Sequence, residues 1–180
     1  MITKSSSHSL KQEVIRRSPH ILFTILLLFI LAGTIAGEVF DAYRTLWWWD
    51  DALHGISGAL IALLGLFIFR ALHPAAARVS LIALFCFAIS LAAAGIWEIF
   101  EFGVDFFFHT AMQQWNMSSL AIVMGVSHQG AGLRDTMSDM ILAAIGALIT
   151  SLFITFAYRT HPALTRRILR HTSSRQRRRL

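Results

Sequence analysis

Three carboxylates, Glu98, Glu101 and Asp105, close a long apolar run that begins near Val79. At about 100° per residue they fall within about 60° of one another on one helical face. Acidic side chains at the end of a membrane span are costly unless a partner, water or a metal meets them, so they mark a working site. Two further stretches are suited to meet this one, Asp50-Asp51-x-x-His54 and Asp135-x-x-x-Asp139. His54 lies at i+4 from Asp50 and i+3 from Asp51, and shares a face with either. Helix capping accounts for part of this pattern: Asp50 suits an N-cap, Asp51 the positive end of the helix dipole, and Asp135 a second N-cap. Capping does not account for Glu98 and Glu101, because carboxylates at a helix C-terminus oppose the dipole and repel each other. Asp105 suits a solvated rim. Asp139 lies one turn inside its helix, on a stripe with Asp135 and Gly146, and a glycine there lets another helix come close.

Hard oxygen ligands in this number suit Mg²⁺, Ca²⁺ or Mn²⁺, and the single histidine keeps Zn²⁺ or Fe²⁺ open. The expected ligands are His54, Glu98, Glu101 and Asp139, with Asp51 or Asp135 as general base and Arg134 holding an anionic head group. Without a cation, so many clustered carboxylates could not all carry their charge, and the same acids would then serve a proton path. The chain has no HExxH, no phosphate-binding glycine loop and no Cys/His zinc spacing. Ser57 and Ser138 near the cluster read as helix-packing residues.

The elements that carry these residues follow from composition. The chain has 180 residues, 56% of them hydrophobic, with a mean hydropathy of +0.60. Soluble domains are nearer 45–50% apolar. The pattern predicts an all-α polytopic membrane protein, one bundle of four transmembrane helices over about 20–40, 51–69, 79–101 and 136–158. The third could run on to Phe108. Residues 1–19 form a basic segment expected to be mobile up to Pro19. Residues 109–134 form an outer loop in which Ser119–Val126 is too short to cross and reads as re-entrant or interfacial, followed by a Gly-rich loop over Ser127–Gly132. Residues 159–180 form a basic tail that suits anionic lipid. A signal peptide competes for the first run, but the run is long for a signal core and Glu38 and Asp41 follow it directly. Trp47, Trp48 and Trp49 suit an interfacial anchor. The one cysteine, Cys86, lies mid-span and excludes an intrachain disulfide.

With four spans, only Arg44 and Arg134 fall on one side, leaving fourteen of the sixteen Lys and Arg on the other. The positive-inside rule places that majority, and both termini, in the cytoplasm. Every acidic residue except Glu13 then clusters at the outer side. The net charge of +6 flanks the spans and forms no nucleic-acid reading surface.

Trp49-Asp-Asp-x-x-His54, Trp97-Glu-x-x-Glu101, and Gly132-x-x-Asp-Thr-x-x-Asp-Met140 followed by Gly146 resemble the YjdF-like family of bacterial inner-membrane proteins. In order and spacing they are also similar to the VanZ-like group. The likeness covers roughly residues 47–150. It implies a small helical membrane fold with polar residues gathered at one face, and, through the VanZ-like group, an association with glycopeptide resistance and the cell envelope. The chain has Glu101 where that group has glutamine.

These readings converge on a bacterial inner-membrane protein that binds or acts on an envelope lipid or precursor. A metal-dependent hydrolase of a lipid phosphate is the second reading, and a proton- or cation-coupled transporter the third. The transporter needs polar groups deep in the spans, and the inner halves offer only Ser90, Thr150, Ser151 and Thr155.

Overall fold

The computed structural model describes residues 3–72, 77–113 and 128–161. They form α1 (Thr3–Val39), the short α2 (Ala42–Thr45), α3 (Trp49–Leu72), α4 (Val79–Phe108) and α5 (His128–Thr160), with no strand among the described residues. Four of these helices hold segments long and apolar enough to cross a membrane: Pro19–Val39, Trp49–Leu72, Val79–Phe108 and Gly132–Thr160.

Two helices are longer than the sequence suggests. α1 starts at Thr3 and runs through Pro19, so the basic segment continues the first span as helix. Its Lys, Gln, Glu and Arg residues are good helix formers. α5 starts at His128 and absorbs the glycine-rich stretch expected to be a loop. This stretch extends the span that begins at Gly132 outward as helix, although glycine weakens it. The re-entrant segment at Ser119–Val126 and the tail beyond 161 lie outside the described residues.

α3 is the centre of the bundle: it packs on α5, on α4 and on α1. Small residues set those distances. A Cβ built on Gly58 would lie 2.2 Å from the Ala143 carbonyl oxygen, and one on Gly146 would lie 2.0 Å from the Gly55 carbonyl oxygen. α3 and α5 therefore cross backbone to backbone at Gly55–Gly58 and Ala143–Gly146, the close approach that small residues permit in membranes. Against α4, the Ser90 hydroxyl donates to the Gly58 carbonyl oxygen at 2.8 Å. Ala62, Ile82, Cys86 and Ala147 fill the centre without solvent contact. Most larger apolar side chains point outward, as lipid-facing side chains do.

The two ends differ in charge. At one end Arg70 donates to the Tyr158 hydroxyl, with its guanidinium 5.7 Å from the ring centroid. At the other lie the acidic residues. α4 has 30 residues, about 45 Å of helix against a hydrocarbon core of about 30 Å. Its last turns therefore reach the membrane boundary, where Glu98, Glu101 and Asp105 sit.

Candidate metal centre beside a membrane cavity

The α3–α5 crossing decides which side chains meet. His54 precedes Gly58 by one turn, and Asp139 precedes Ala143 by one turn. Because the backbones touch at Gly58 and Ala143, these two side chains face each other across a narrow gap. His54 Nε2 lies 3.6 Å from Asp50 Oδ1 and 3.8 Å from Asp139 Oδ2. One donor atom from each of Asp50, His54 and Asp139 lies within 4.8 Å of the others. Both His54 separations exceed hydrogen-bond length. Ligand atoms around a single cation at bonds of about 2.1 Å stand roughly 3.0–3.4 Å apart, so both carboxylates would have to draw in toward His54 and toward each other to close the set.

Burial sharpens the geometry. Asp139 is 2% exposed, Glu98 5% and His54 8%. Asp139 Oδ2 and Asp135 Oδ2 lack a hydrogen-bond partner, and the Glu98 carboxylate is buried beside them. Buried carboxylate oxygens without partners are expensive, and a cation is one of the few species that offsets them. The cluster is thus able to coordinate a divalent metal.

Glu98 approaches the imidazole from its other side, with Oε1 3.9 Å from Nδ1. A metal-bound histidine commonly gives its remaining N–H to a carboxylate, which fixes the ring. Glu98, an expected ligand, stands on the Nδ1 side of the ring, and Asp50 joins His54 and Asp139 in the group whose donor atoms lie together. Glu101 is buried one turn further on and accepts a hydrogen bond from Trp97 Nε1 at 2.7 Å.

The other acids have local explanations or lie apart. Asp105 accepts from the Thr110 hydroxyl at 2.6 Å and from the Met112 and Gln113 amides at 2.8 and 3.0 Å. It organises the chain leaving α4, where His109 turns with φ 54°, and Gln113 Nε2 then donates to Thr136 Oγ1 at 2.8 Å on α5. Asp135 lies two turns inside α5, so it is not the N-cap its position suggests. Asp50 likewise lies within the first turn of α3.

A family described as "Predicted membrane protein (DUF2238)" matches residues 13–160. The chain belongs to this family. No curated protein and no solved structure matches it. The family description carries neither of the two group names suggested by the motifs.

In this DUF2238 protein the cluster borders a cavity of about 1110 Å³. Asp50, His54, Glu101, Tyr43 and Arg44 lie along its polar wall. Asp51, Glu98, Asp135, Asp139 and the exposed Arg134, five residues with expected functional roles, are not in that wall. The cation that is there is Arg44, 3.7 Å from Asp41.

Tyr43 has no signal in the sequence beyond its place before the tryptophans. α2 starts after Asp41, whose φ of 58° turns the chain back over the bundle, and lays the Tyr43 ring on Gly37. Burial, then Asp50, Glu101, Glu38 and Asp139, push the Tyr43 phenol up to about 12. Ultraviolet titration of wild type against Tyr43→Phe should show one phenol that stays neutral through pH 10–11, well above the ordinary value of about 10. Because the folded value is the higher one, its stabilising contribution is complete below pH 10 and lost as the pH rises toward 12. A phenol titrating near 10 would place Tyr43 in water, off the acidic wall.

Proposed function

We propose that this is a multi-pass protein of the bacterial inner membrane that holds a divalent cation between α3 and α5 and uses it to engage the polar end of an envelope lipid or lipid-linked precursor. The observation that carries this reading is Asp139 Oδ2, buried, unpartnered and aimed at His54 Nε2 from 3.8 Å. Asp50, His54 and Asp139 supply the first ligands, Glu98 orients the histidine, and Glu101 faces the bound molecule. Two carboxylates and one imidazole suit Mn²⁺, Mg²⁺ or Zn²⁺. The placement of fourteen of the sixteen Lys and Arg on one side supports an outward-facing acidic end with both termini in the cytoplasm.

Elemental analysis tests the cation directly. Wild type purified in mild detergent without a histidine tag, then loaded with Mn²⁺ or Zn²⁺, is expected to retain near-stoichiometric metal that His54→Ala loses, while Ser57→Ala keeps it. No retained metal in the loaded wild type would overturn the reading.

A second reading, hydrolysis of a lipid phosphate, is favoured by Glu101, a buried carboxylate on the cavity wall. A cation there would polarise a phosphoryl oxygen, and Glu101 is placed to take the proton of an attacking water. Transport finds less support. The Ser90 hydroxyl is tied to the α3 backbone and the Thr155 hydroxyl to the Ser151 carbonyl oxygen at 2.9 Å, so these inner polar groups serve helix contacts.

A further inference from the structure

The cavity continues from the polar wall into the depth of the bundle, where its lining is mainly apolar, with Phe29 and Ile30 of α1, Ile61 of α3 and Ala93 of α4, and the Ser90 hydroxyl there is tied to the Gly58 carbonyl oxygen. All four lie inside membrane-spanning segments. α3 forms the back of this space, with α1 on one side and α4 on the other. α1 makes its extensive contacts with α3 and α2, so little packing closes the side toward α4, which in a membrane would be open to lipid. Water is poorly held by such a lining, and the solvent outside is hydrocarbon. The volume, about 1110 Å³, exceeds the roughly 300–1,000 Å³ usual for small-molecule pockets.

The two ends of the cavity point to different parts of one ligand. The apolar end fits a hydrocarbon chain. The polar end is acidic, with Glu38, Asp41, Asp50 and Glu101 against Arg44, and would repel an anionic head group. A divalent cation beside Asp50 and His54 reverses that preference and attracts phosphate oxygens.

We infer that the cavity binds a phosphate-bearing membrane lipid, which slides in sideways between α1 and α4, lays one acyl chain along Phe29, Ile30, Ile61 and Ala93, and brings its phosphate to the cation. The inference rests on the cation site proposed above. It adds the ligand class, the seat of the chain and the direction of access.

The test uses the full chain in phosphatidylcholine nanodiscs containing phosphatidic acid with a diazirine in mid-chain, with Mn²⁺ or with EDTA. Adducts are mapped by mass spectrometry. Wild type with Mn²⁺ is expected to be labelled at Phe29, Ile30, Ile61 and Ala93 as well as at outward-facing residues such as Ile99 and Leu152, which are 71% and 61% exposed. Ala93→Trp fills the seat, and displacing two methylene groups there lowers cavity labelling about tenfold. Outward labelling stays unchanged. Ala93→Leu, a smaller intrusion, should lower cavity labelling to a lesser degree, which separates seat-filling from misfolding. EDTA should lower cavity labelling by phosphatidic acid to the level of a diacylglycerol probe with the same chain. Labelling confined to outward-facing residues, or cavity labelling untouched by both Ala93 variants, would overturn the inference. Cavity labelling indifferent to EDTA overturns the cation bridge. If elemental analysis still finds bound metal, that failure belongs to the lipid inference and not to the cation site.

Discussion

In the presence of a chelator, Asp139→Asn is expected to be more stable than the wild type, and with excess Mn²⁺ the order should reverse. Asp139 is 2% exposed, its Oδ2 has no hydrogen-bond partner, and the Asp50 and Glu98 carboxylates stand around the same imidazole. Without a cation this arrangement holds repelling groups out of water. The amide keeps the shape, is neutral without taking up a proton and brings N–H donors to the facing oxygens. Relief of a buried unsatisfied polar group is worth about 1–3 kcal/mol. With metal at 100 times its Kd, the wild type gains about 2.7 kcal/mol that the variant does not. Glu98→Gln should differ in kind. Glu98 faces Nδ1, the nitrogen turned away from the other two carboxylates, so that variant should bind metal roughly 10–100-fold more weakly without losing it. Denaturation in detergent with EDTA or Mn²⁺, paired with metal titration, reads both effects. If both variants are less stable than the wild type in EDTA and metal stabilises neither them nor the wild type, the carboxylates serve architecture and the cation reading falls.

Gly58→Leu should dismantle the site without touching a ligand. A Cβ alone at position 58 would stand 2.2 Å from the Ala143 carbonyl oxygen and 2.7 Å from its Cα. The obstacle is backbone, so no side-chain rotation relieves it, and α3 and α5 must separate. Overpacking costs about 1–3 kcal/mol where side chains can yield, and this crossing should lie at or above the upper end. The same separation pulls His54 from Asp139, one turn away, so bound metal should be lost with the stability. Gly103→Ala is the control. A Cβ there has nothing within 4 Å, and alanine should stabilise the helix by up to about 1 kcal/mol. A Gly58→Leu protein that retains wild-type metal would show that the cluster does not depend on this crossing.

Much of this architecture is legible in the amino-acid sequence. Hydropathy and length mark four spans, because a bilayer admits few other solutions for an apolar chain. Helical periodicity puts Asp50 with His54, Glu98 with Glu101, and Asp139 with Gly146 on common faces, and these are the faces that meet. Gly146 reads as a close-approach point from its stripe alone, and α3 does pass there.

Periodicity identifies a face but not its neighbour, and the rest follows from that. Asp50 and Asp135 fit N-caps in sequence because both stand where an apolar run begins. In the fold their helices start earlier, and Asp50 turns to the imidazole while Asp135 lies half-buried within α5. Glu98 and Glu101 stand only about 60° apart on a helical wheel, yet one faces His54 and the other holds the Trp97 indole on the cavity wall. The cavity has no sequence signature at all. It exists because α1 leans on α3 and leaves α4 apart, a balance of contacts distributed over helices far apart in the chain. The residue types and their spacing define the chemistry available here. Which of those groups come together, and what stands beside them, depends on two glycines that let α3 and α5 touch.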